Sequence, residues 1–370
     1  MTEFARAVVF TAPETFEIQD IPIAEVGPDD MFVAVELGGV DGSELHMFKG
    51  ELPWFNSRAP IVFGDEIVGR VHSIGMAAAA RRGLAVGDRV TIEARWPCND
   101  CRYCASGQYY LCSRNVDGRG YGTITAREMP SLWGGYATHV YVPKEALVYA
   151  VPEDLPAKTA LVACSTLANG LTWSGVAGAG AGKVIAIIGP GPQGIGCALA
   201  SVQAGAQVIV IGLAKDRERL AFVERYGAKT LAIAEGESHI DLAKRIRHVF
   251  GEIDAVIEAA GYQPAKDLAL ELVRPTGTIV HVSIPTPIEQ PLDWMKMLFK
   301  EITLRCPVSH PNMVPTAIAL AHDMFKNGVD IGEFISHVFP LERAEDAIHA
   351  ASYRGDEVPI KVALDPQMRV

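Results

Sequence analysis

Four cysteines, Cys98, Cys101, Cys104 and Cys112, stand together in the segment CNDCRYCASGQYYLC. Two residues separate the first pair, two the second, and seven precede the last. A tight turn brings such a spacing onto one tetrahedral ion, so whatever fold the chain adopts must set a loop around that point. Zinc on four thiolates is the usual occupant, and such a closed site is structural because no position is left for a substrate. An iron–sulfur cluster also takes four thiolates, and disulfides are the remaining alternative. With four of the seven cysteines in this cluster, the chain fits a reducing cytoplasm better than a disulfide framework.

The chain of 370 residues is long enough for two domains with full cores. From residue 5 to about 150, short apolar runs broken by Gly and Pro read as strands of a Gly-rich β domain. Examples are 31–37, 67–74, 89–93 and 137–142. A helix is expected over 157–170. Strands over 183–188, 207–211, 230–234, 255–258 and 278–282 then alternate with helices over 194–204, 216–226, 240–250 and 265–272. That alternation marks an α/β region with a doubly wound parallel sheet. Strands as continuously apolar as VIAII and VIVI fit burial on both faces. Beyond about 301 the rhythm stops; helices over 315–327 and 344–353 and a last strand over 360–364 are expected. A net charge of −11 argues against a nucleic-acid partner. No apolar run approaches the roughly 20 residues of a membrane span, and MTEFARAVVF lacks a signal-peptide layout.

Gly189, Gly191 and Gly194, in GPGPQGIG, follow an apolar strand and open a helix. The glycines permit a tight turn and close approach of a pyrophosphate, which then sits at the helix N-terminus. Gln193 belongs to the same candidate site, and a Gly-rich turn with no ligand is the bland alternative. An NAD-preferring site usually carries an acid at the end of the next strand, where it bonds the ribose 2′-hydroxyl. Here that position is Gly212, followed by Lys215, Arg217 and Arg219. The absence of a carboxylate and the nearby basic residues lean towards NADP(H). Asp216, as a stand-in acid, keeps NAD open.

These motifs together resemble the medium-chain dehydrogenase/reductase superfamily, in its zinc alcohol dehydrogenase-like branch. GVDGSELH (39–46) resembles the family's Cys-Gly-Ser/Thr-Asp-x-His segment, and GDEIVGRV (64–71) its Gly-His-Glu segment. GDRV (87–90) resembles the loop before the zinc lobe. The resemblance covers nearly the whole chain. It implies a GroES-like β-rich catalytic domain over 1–160 and 302–370, with a structural-zinc lobe at about 96–113. It also implies a Rossmann NAD(P)-binding domain over 161–301, with Ala260 and Val282 near the nicotinamide. Homodimers or homotetramers are the family's usual state.

The chain departs from this family at the catalytic metal. The family's ligands are a Cys, a His and a Cys or acid; the matching positions here are Asp41, Asp65 and Cys164. Hard oxygens replace a thiolate and an imidazole, which favours Mg, Ca or Mn over zinc. An empty site is the reading adopted; zinc held with help from Glu66, or another cation, are the alternatives. Without metal, Asp41, Asp65 and Glu66 crowd together, which pushes at least one pKa up. A protonated carboxyl could then act as general acid on a substrate oxygen. That expectation fails if the three carboxyls point to separate places. Ser43 and His46 are retained, and by resemblance they form a proton relay. The alternatives are that Ser43 caps a helix and that His46 is a surface residue. Trp54 and Phe55 are pocket or core residues, and Cys197 and Cys306 are read as buried thiols. The functional expectation is an NAD(P)-dependent oxidoreductase acting on a small alcohol or carbonyl. Reduction of an activated C=C bond, and nucleotide binding without catalysis, are the alternatives.

Overall fold

The computed structural model describes residues 2–114, 119–352 and 358–369. They form two compact units, Met1–Ser165 with Val314–Val370, and Thr166–Met313. Tyr353, the expected end of one helix, lies outside the described residues; that helix runs Ala344–Ala351. Among the described residues no helix is long and apolar enough to cross a membrane.

The first unit is β-rich. Its strands are β1 (Phe4–Ala12), β2 (Thr15–Pro22), β3 (Met31–Val40), β4 (Ile61–Val62), β5 (Ile67–Ile74), β6 (Arg89–Ile92), β7 (His139–Val142) and β8 (Val148–Ala150). The second unit contributes β9 (Val184–Ile188), β10 (Gln207–Leu213), β11 (Lys229–Ile233), β12 (Ile253–Glu258), β13 (Val273–His281) and β14 (Thr303–Arg305). The chain then supplies β15 (Ile335–Pro340) and β16 (Lys361–Asp365) to the first unit.

β3 is buried along almost its whole length because it is paired on both edges. It meets β5 on one edge, and β7 and then β16 on the other. Met31, Val33 and Val35 pack with Ile67, Val71, Val90 and Ile92. A second cluster of Phe10, Phe48, Phe55, Phe63 and Tyr136 seats the helix α1 (Gly42–Phe48) through Met47 and Phe48. Each such side chain contributes roughly 2 kcal/mol on burial. Phe55 therefore belongs to this core, whereas Trp54 is exposed. The return of β16 beside β3, Val362 against Val40 and Ala363 against Gly39, brings the end of the chain next to α1. Gly39 is required there: a Cβ would stand 1.9 Å from Glu66 Oε2.

The second unit is the doubly wound parallel sheet expected, in the order β11-β10-β9-β12-β13-β14. Ala186, Ile188, Ile209 and Ile211 pack beneath the helices His239–Phe250 and Gln263–Leu272. Ile185, Ile187, Val208 and Val210 are buried as well, so both faces are covered. The fold is the GroES-like plus Rossmann architecture. One expectation needs correction: 157–170 is not one α-helix. It divides into Ala157–Val162, a π-helical turn Ala163–Leu167, and Ala168–Val176. A π insertion widens the helix by one residue and is frequent at functional sites.

Candidate functional site

The sulfurs of Cys98, Cys101, Cys104 and Cys112 all lie within 4.8 Å of one another. Cys104 Sγ stands 3.5 Å from that of Cys101 and 3.8 Å from that of Cys98. Four sulfurs about 2.3 Å from a tetrahedral zinc are separated by about 3.8 Å. A disulfide would need about 2 Å. The turn forms because Asn99 adopts the left-handed region at φ 59°, which Asn tolerates. Cys101 then starts the short helix Arg102–Ala105, and the Cys98 N–H donates to Cys104 Sγ at 3.3 Å. The set fits a closed structural zinc that fastens this loop. The Tyr109 phenol joins the lobe to the sheet by donating to the buried Glu93, which also receives Tyr149 at 3.0 Å. Burial pushes Glu93 up to about 7 against these two donors.

In the second unit the dinucleotide turn has the required shape. Gly189 sits at φ +99°, and a Cβ on Gly194 would fall 1.9 Å from Gly189 O. Gly191 caps the N-terminus of α2 (Pro192–Gln203). Gln193 Oε1 accepts from Asn169 at 3.2 Å. Ala260 faces Gly189, with its Cβ 3.0 Å from where a Gly189 Cβ would lie. The Val282 N–H donates to Glu258 O, carrying the strand-end layer onward. Gly212 closes β10 with no side chain at that place, and Lys215 and Arg217 are exposed beside it. Arg219 is not part of that basic edge, being 3% exposed. Asp216 is buried and receives the Leu213 N–H at 2.8 Å. The cradle thus fits a dinucleotide pyrophosphate.

Asp41, Glu44, Asp65, Glu66 and Lys361 form one electrostatic cluster in the first unit. Asp41 is the N-cap of α1, accepting from Glu44 N at 2.9 Å and from Ser43 Oγ at 2.8 Å. Ser43 is therefore inside the helix, and the capping role belongs to Asp41. Glu44 closes the capping box and also receives Gly64 N at 2.9 Å and the Tyr136 phenol at 2.5 Å. Glu66 receives Ser165 Oγ at 2.6 Å and lies 2.6 Å from Lys361 Nζ. Burial, then Glu66, raises Asp41. Burial, then Asp41 and Asp65, holds Glu44 well above the carboxylate range. Burial, Asp41 and Glu66 do the same to Asp65, with Arg95 and Lys361 opposing. Burial pulls the Lys361 ammonium down, but Glu66, Asp41 and Glu44 together leave it raised.

The carboxyls share a field, yet Asp41 is tied to the start of α1, Glu44 to Gly64 and Tyr136, and Glu66 to Ser165 and Lys361. Among the described residues, Asp41, Asp65 and Cys164 are not a set whose ligand atoms meet within 4.8 Å. Cys164 points its thiol at Leu161 O, 3.3 Å away, and burial pushes it up to about 12. His46 Nδ1 contacts Glu51 at 2.5 Å. No direct hydrogen bond joins it to Ser43 among the described contacts.

Sequence reasoning missed Lys361 and Ser165, whereas the resemblance had already placed 258–261 and 280–283 near the nicotinamide. A lysine inside the apolar run IKVAL was the available signal for the first. Glu258, 1% exposed, accepts from His281 at 2.6 Å, Ser283 at 2.8 Å and the N–H groups of Ala260 and Gly261. Burial alone would raise it, but these donors hold it below its usual range. Cys197 is buried as expected, whereas Cys306 is exposed.

Comparison with known proteins agrees with this architecture. Residues 27–153 match the alcohol dehydrogenase GroES-like domain, and 194–323 match the zinc-binding dehydrogenase family. A protein of Mycobacterium tuberculosis (strain H37Rv), described as a probable alcohol dehydrogenase, is 34% identical over 281 residues, 74% of each chain. The D-arabitol-phosphate dehydrogenase of Enterococcus avium is 28% identical over 94% of each chain. A provisionally assigned zinc-binding dehydrogenase of Sinorhizobium meliloti, solved with NADP, superposes with a TM-score of 0.83 at 27% identity. It covers 98% of this chain and 100% of its own. The alcohol dehydrogenase of Thermus sp. ATN1 gives 0.80 at 28%, covering 97% and 99%.

Proposed function

The chain belongs to the zinc alcohol dehydrogenase-like branch of the medium-chain dehydrogenase/reductase superfamily, and on that premise we propose that it interconverts a small alcohol and its carbonyl with NADP(H), using a protonated carboxyl where relatives place a catalytic zinc. It is an NAD(P)-dependent oxidoreductase. The bound nicotinamide supplies or receives the hydride. The observation that carries the carboxyl reading is that burial and mutual repulsion raise Asp41, Glu44 and Asp65 together.

Asp41 is committed to capping α1, and Glu44 to Gly64 and Tyr136. Asp65 is therefore the member that holds the mobile proton. In reduction it donates that proton to the carbonyl oxygen as hydride reaches the carbon; in oxidation its carboxylate takes the hydroxyl proton. Ser43, held by Asp41, and His46, held by Glu51, are the α1 groups through which that proton would pass to solvent, with water spanning the gap between them. A positioned general acid contributes about 10²–10⁴-fold, so Asp65→Asn is expected to lower kcat/KM for carbonyl reduction by about 10²-fold or more. Because the protonated form is active, wild-type reduction falls as pH rises through the raised pKa, and Asp65→Asn loses that limb. Activity that instead tracks a zinc lost in Asp65→Asn sinks the carboxyl reading. Relatives named as alcohol and polyol-phosphate dehydrogenases favour carbonyl chemistry over C=C reduction or binding without turnover.

NADP is favoured by Lys215 and Arg217 beside Gly212 and by the NADP-bound S. meliloti neighbour. Charged hydrogen bonds are worth about 1.5–3 kcal/mol. Lys215→Ala/Arg217→Ala is accordingly expected to raise KM for NADPH roughly ten- to hundredfold, with kcat and the NADH reaction little changed. Equal loss with both cofactors contradicts the preference. The exposed apolar side chains of Trp294, Met295, Leu298 and Phe299 support a second copy of the chain as partner. A monomeric mass by light scattering would remove that element. The free-thiol composition supports a cytoplasmic setting.

A further inference from the structure

A second metal-type constellation lies outside the cysteine lobe and outside the acidic cluster. Glu3, His72 and His139 present ligand atoms that all lie within 4.8 Å of one another. Two strands, β5 and β7, and the residue before β1 build it. Glu3 immediately precedes β1, and its carbonyl receives the Ile23 N–H at 2.9 Å, which fixes the backbone there. β5 and β7 flank β3 on opposite edges. His139 sits opposite Ala34 in that register. His72 falls at a break in the register, between the pairs Phe32–Ser73 and Val33–Val71. A bulge of this kind re-aims a side chain, and here it turns His72 towards its neighbours.

The spacing suits an ion. His72 Nε2 stands 3.2 Å from Glu3 Oε2. The His72 and His139 rings meet edge to face with centroids 4.5 Å apart. Zinc bonds of about 2.0–2.1 Å to nitrogen and oxygen place tetrahedral ligand atoms about 3.3 Å apart. Thr138 Oγ1 lies 3.2 Å from His139 Nδ1, the kind of outer contact that orients a ligating imidazole.

We propose that Glu3, His72 and His139 bind one divalent transition ion, zinc(II) by preference, with water completing its coordination, so that the start of β1 is tied to the seven-stranded sheet. Two imidazoles and one carboxylate are a donor set that borderline ions accept and that magnesium and calcium do not favour. One consequence bears directly on zinc counting. A second zinc found on this protein cannot be assigned to Asp41, Asp65 and Cys164 without separating the two places.

The test is zinc stoichiometry by atomic absorption after equilibrium dialysis of the full-length protein against micromolar zinc chloride at neutral pH. Wild type is expected to hold two zinc ions per chain, and His72→Ala/His139→Ala one. Retention of that one shows that the cysteine lobe is still folded in the variant. Asp41→Asn/Asp65→Asn is expected to keep two. Glu3→Gln, at an exposed position, is expected to weaken the second site by at least the roughly tenfold that even outer ligand partners contribute. The proposal is overturned if wild type holds only one zinc, in which case Glu3 and His72 form an ion pair and nothing more. It is equally overturned if the double-histidine variant still holds two, or if the second zinc disappears with the aspartates.

Discussion

Lys361→Met is expected to lower the unfolding free energy by about 3–5 kcal/mol, the range for stranding one member of a buried ion pair. The melting temperature should fall by on the order of 10 °C. Methionine nearly matches the length of the lysine stem, so packing changes little and the loss is electrostatic. The side chains of Lys361 and Glu66 are 0% and 3% exposed, and their charged atoms are 2.6 Å apart. Glu66 keeps the Ser165 hydroxyl, but one neutral donor does not balance a buried carboxylate. Urea unfolding at several pH values checks this. The gap between variant and wild type should be present at pH 8. Glu66→Gln/Lys361→Met should recover most of the loss, since no unpaired charge then remains. A single variant within 1 kcal/mol of wild type at pH 8 would mean that water or another cation reaches Glu66. The same substitution bears on the reaction. Lys361 opposes the rise of Asp41 and Asp65, so its removal should move the pH at which carbonyl reduction declines further towards alkaline values.

That lysine also shows where sequence reading stops. The four cysteines were legible because the whole ligand set lies within fifteen residues, and local spacing alone brings them together. The parallel sheet was legible because each βα step repeats the same change of period, and the glycine turn because its context lies on either side of it. The acidic cluster was only half legible. Asp41 and Asp65 could be aligned with a known motif, but the cation beside them arrives from 321 residues beyond Val40 and the Ser165 hydroxyl from 99 residues beyond Glu66. Pairing of β16 with β3 delivers Lys361 and the π-helical turn delivers Ser165, and no local pattern encodes contacts across such distances. The choice of cap was readable but was missed. Asp41 and Ser43 are both good caps, and Glu44, three residues after Asp41, selects Asp41 through the reciprocal capping box. The π turn at Ala163–Leu167 left no sequence mark, because 159–170 is buried on every side and carries no amphipathic phase for an added residue to shift.

Cys104→Ser is expected to release one zinc per chain and to open the lobe while leaving the dinucleotide unit folded. Cys104 Sγ lies within 3.8 Å of two other sulfurs of the set and receives the Cys98 N–H. A hydroxyl there is a poor ligand, and three thiolates hold zinc less tightly than four. In isolated zinc-finger peptides the metal contributes about 10–16 kcal/mol of apparent folding free energy. Here most of that would be expressed locally, in a lobe whose attachments include Tyr109 to Glu93 and Trp96 against Tyr121 at 5.1 Å and Trp133 at 6.4 Å. Arg102 and Arg114 are exposed in this segment. Trypsin should therefore cut the variant there at least tenfold faster than wild type, by the rise in open population that a loss of more than about 1.4 kcal/mol produces. NADPH binding, followed by its fluorescence, should survive, since Gly189, Gly191 and Gly194 belong to the other unit. Metal analysis of the wild type decides the remaining chemistry of the loop. Zinc without iron or acid-labile sulfide is expected, and a visible charge-transfer band with bound iron would replace the structural zinc by a cluster. If Cys104→Ser keeps full zinc and the wild-type cleavage pattern, the four sulfurs do not share one ion, and the lobe must be held by its aromatic contacts alone.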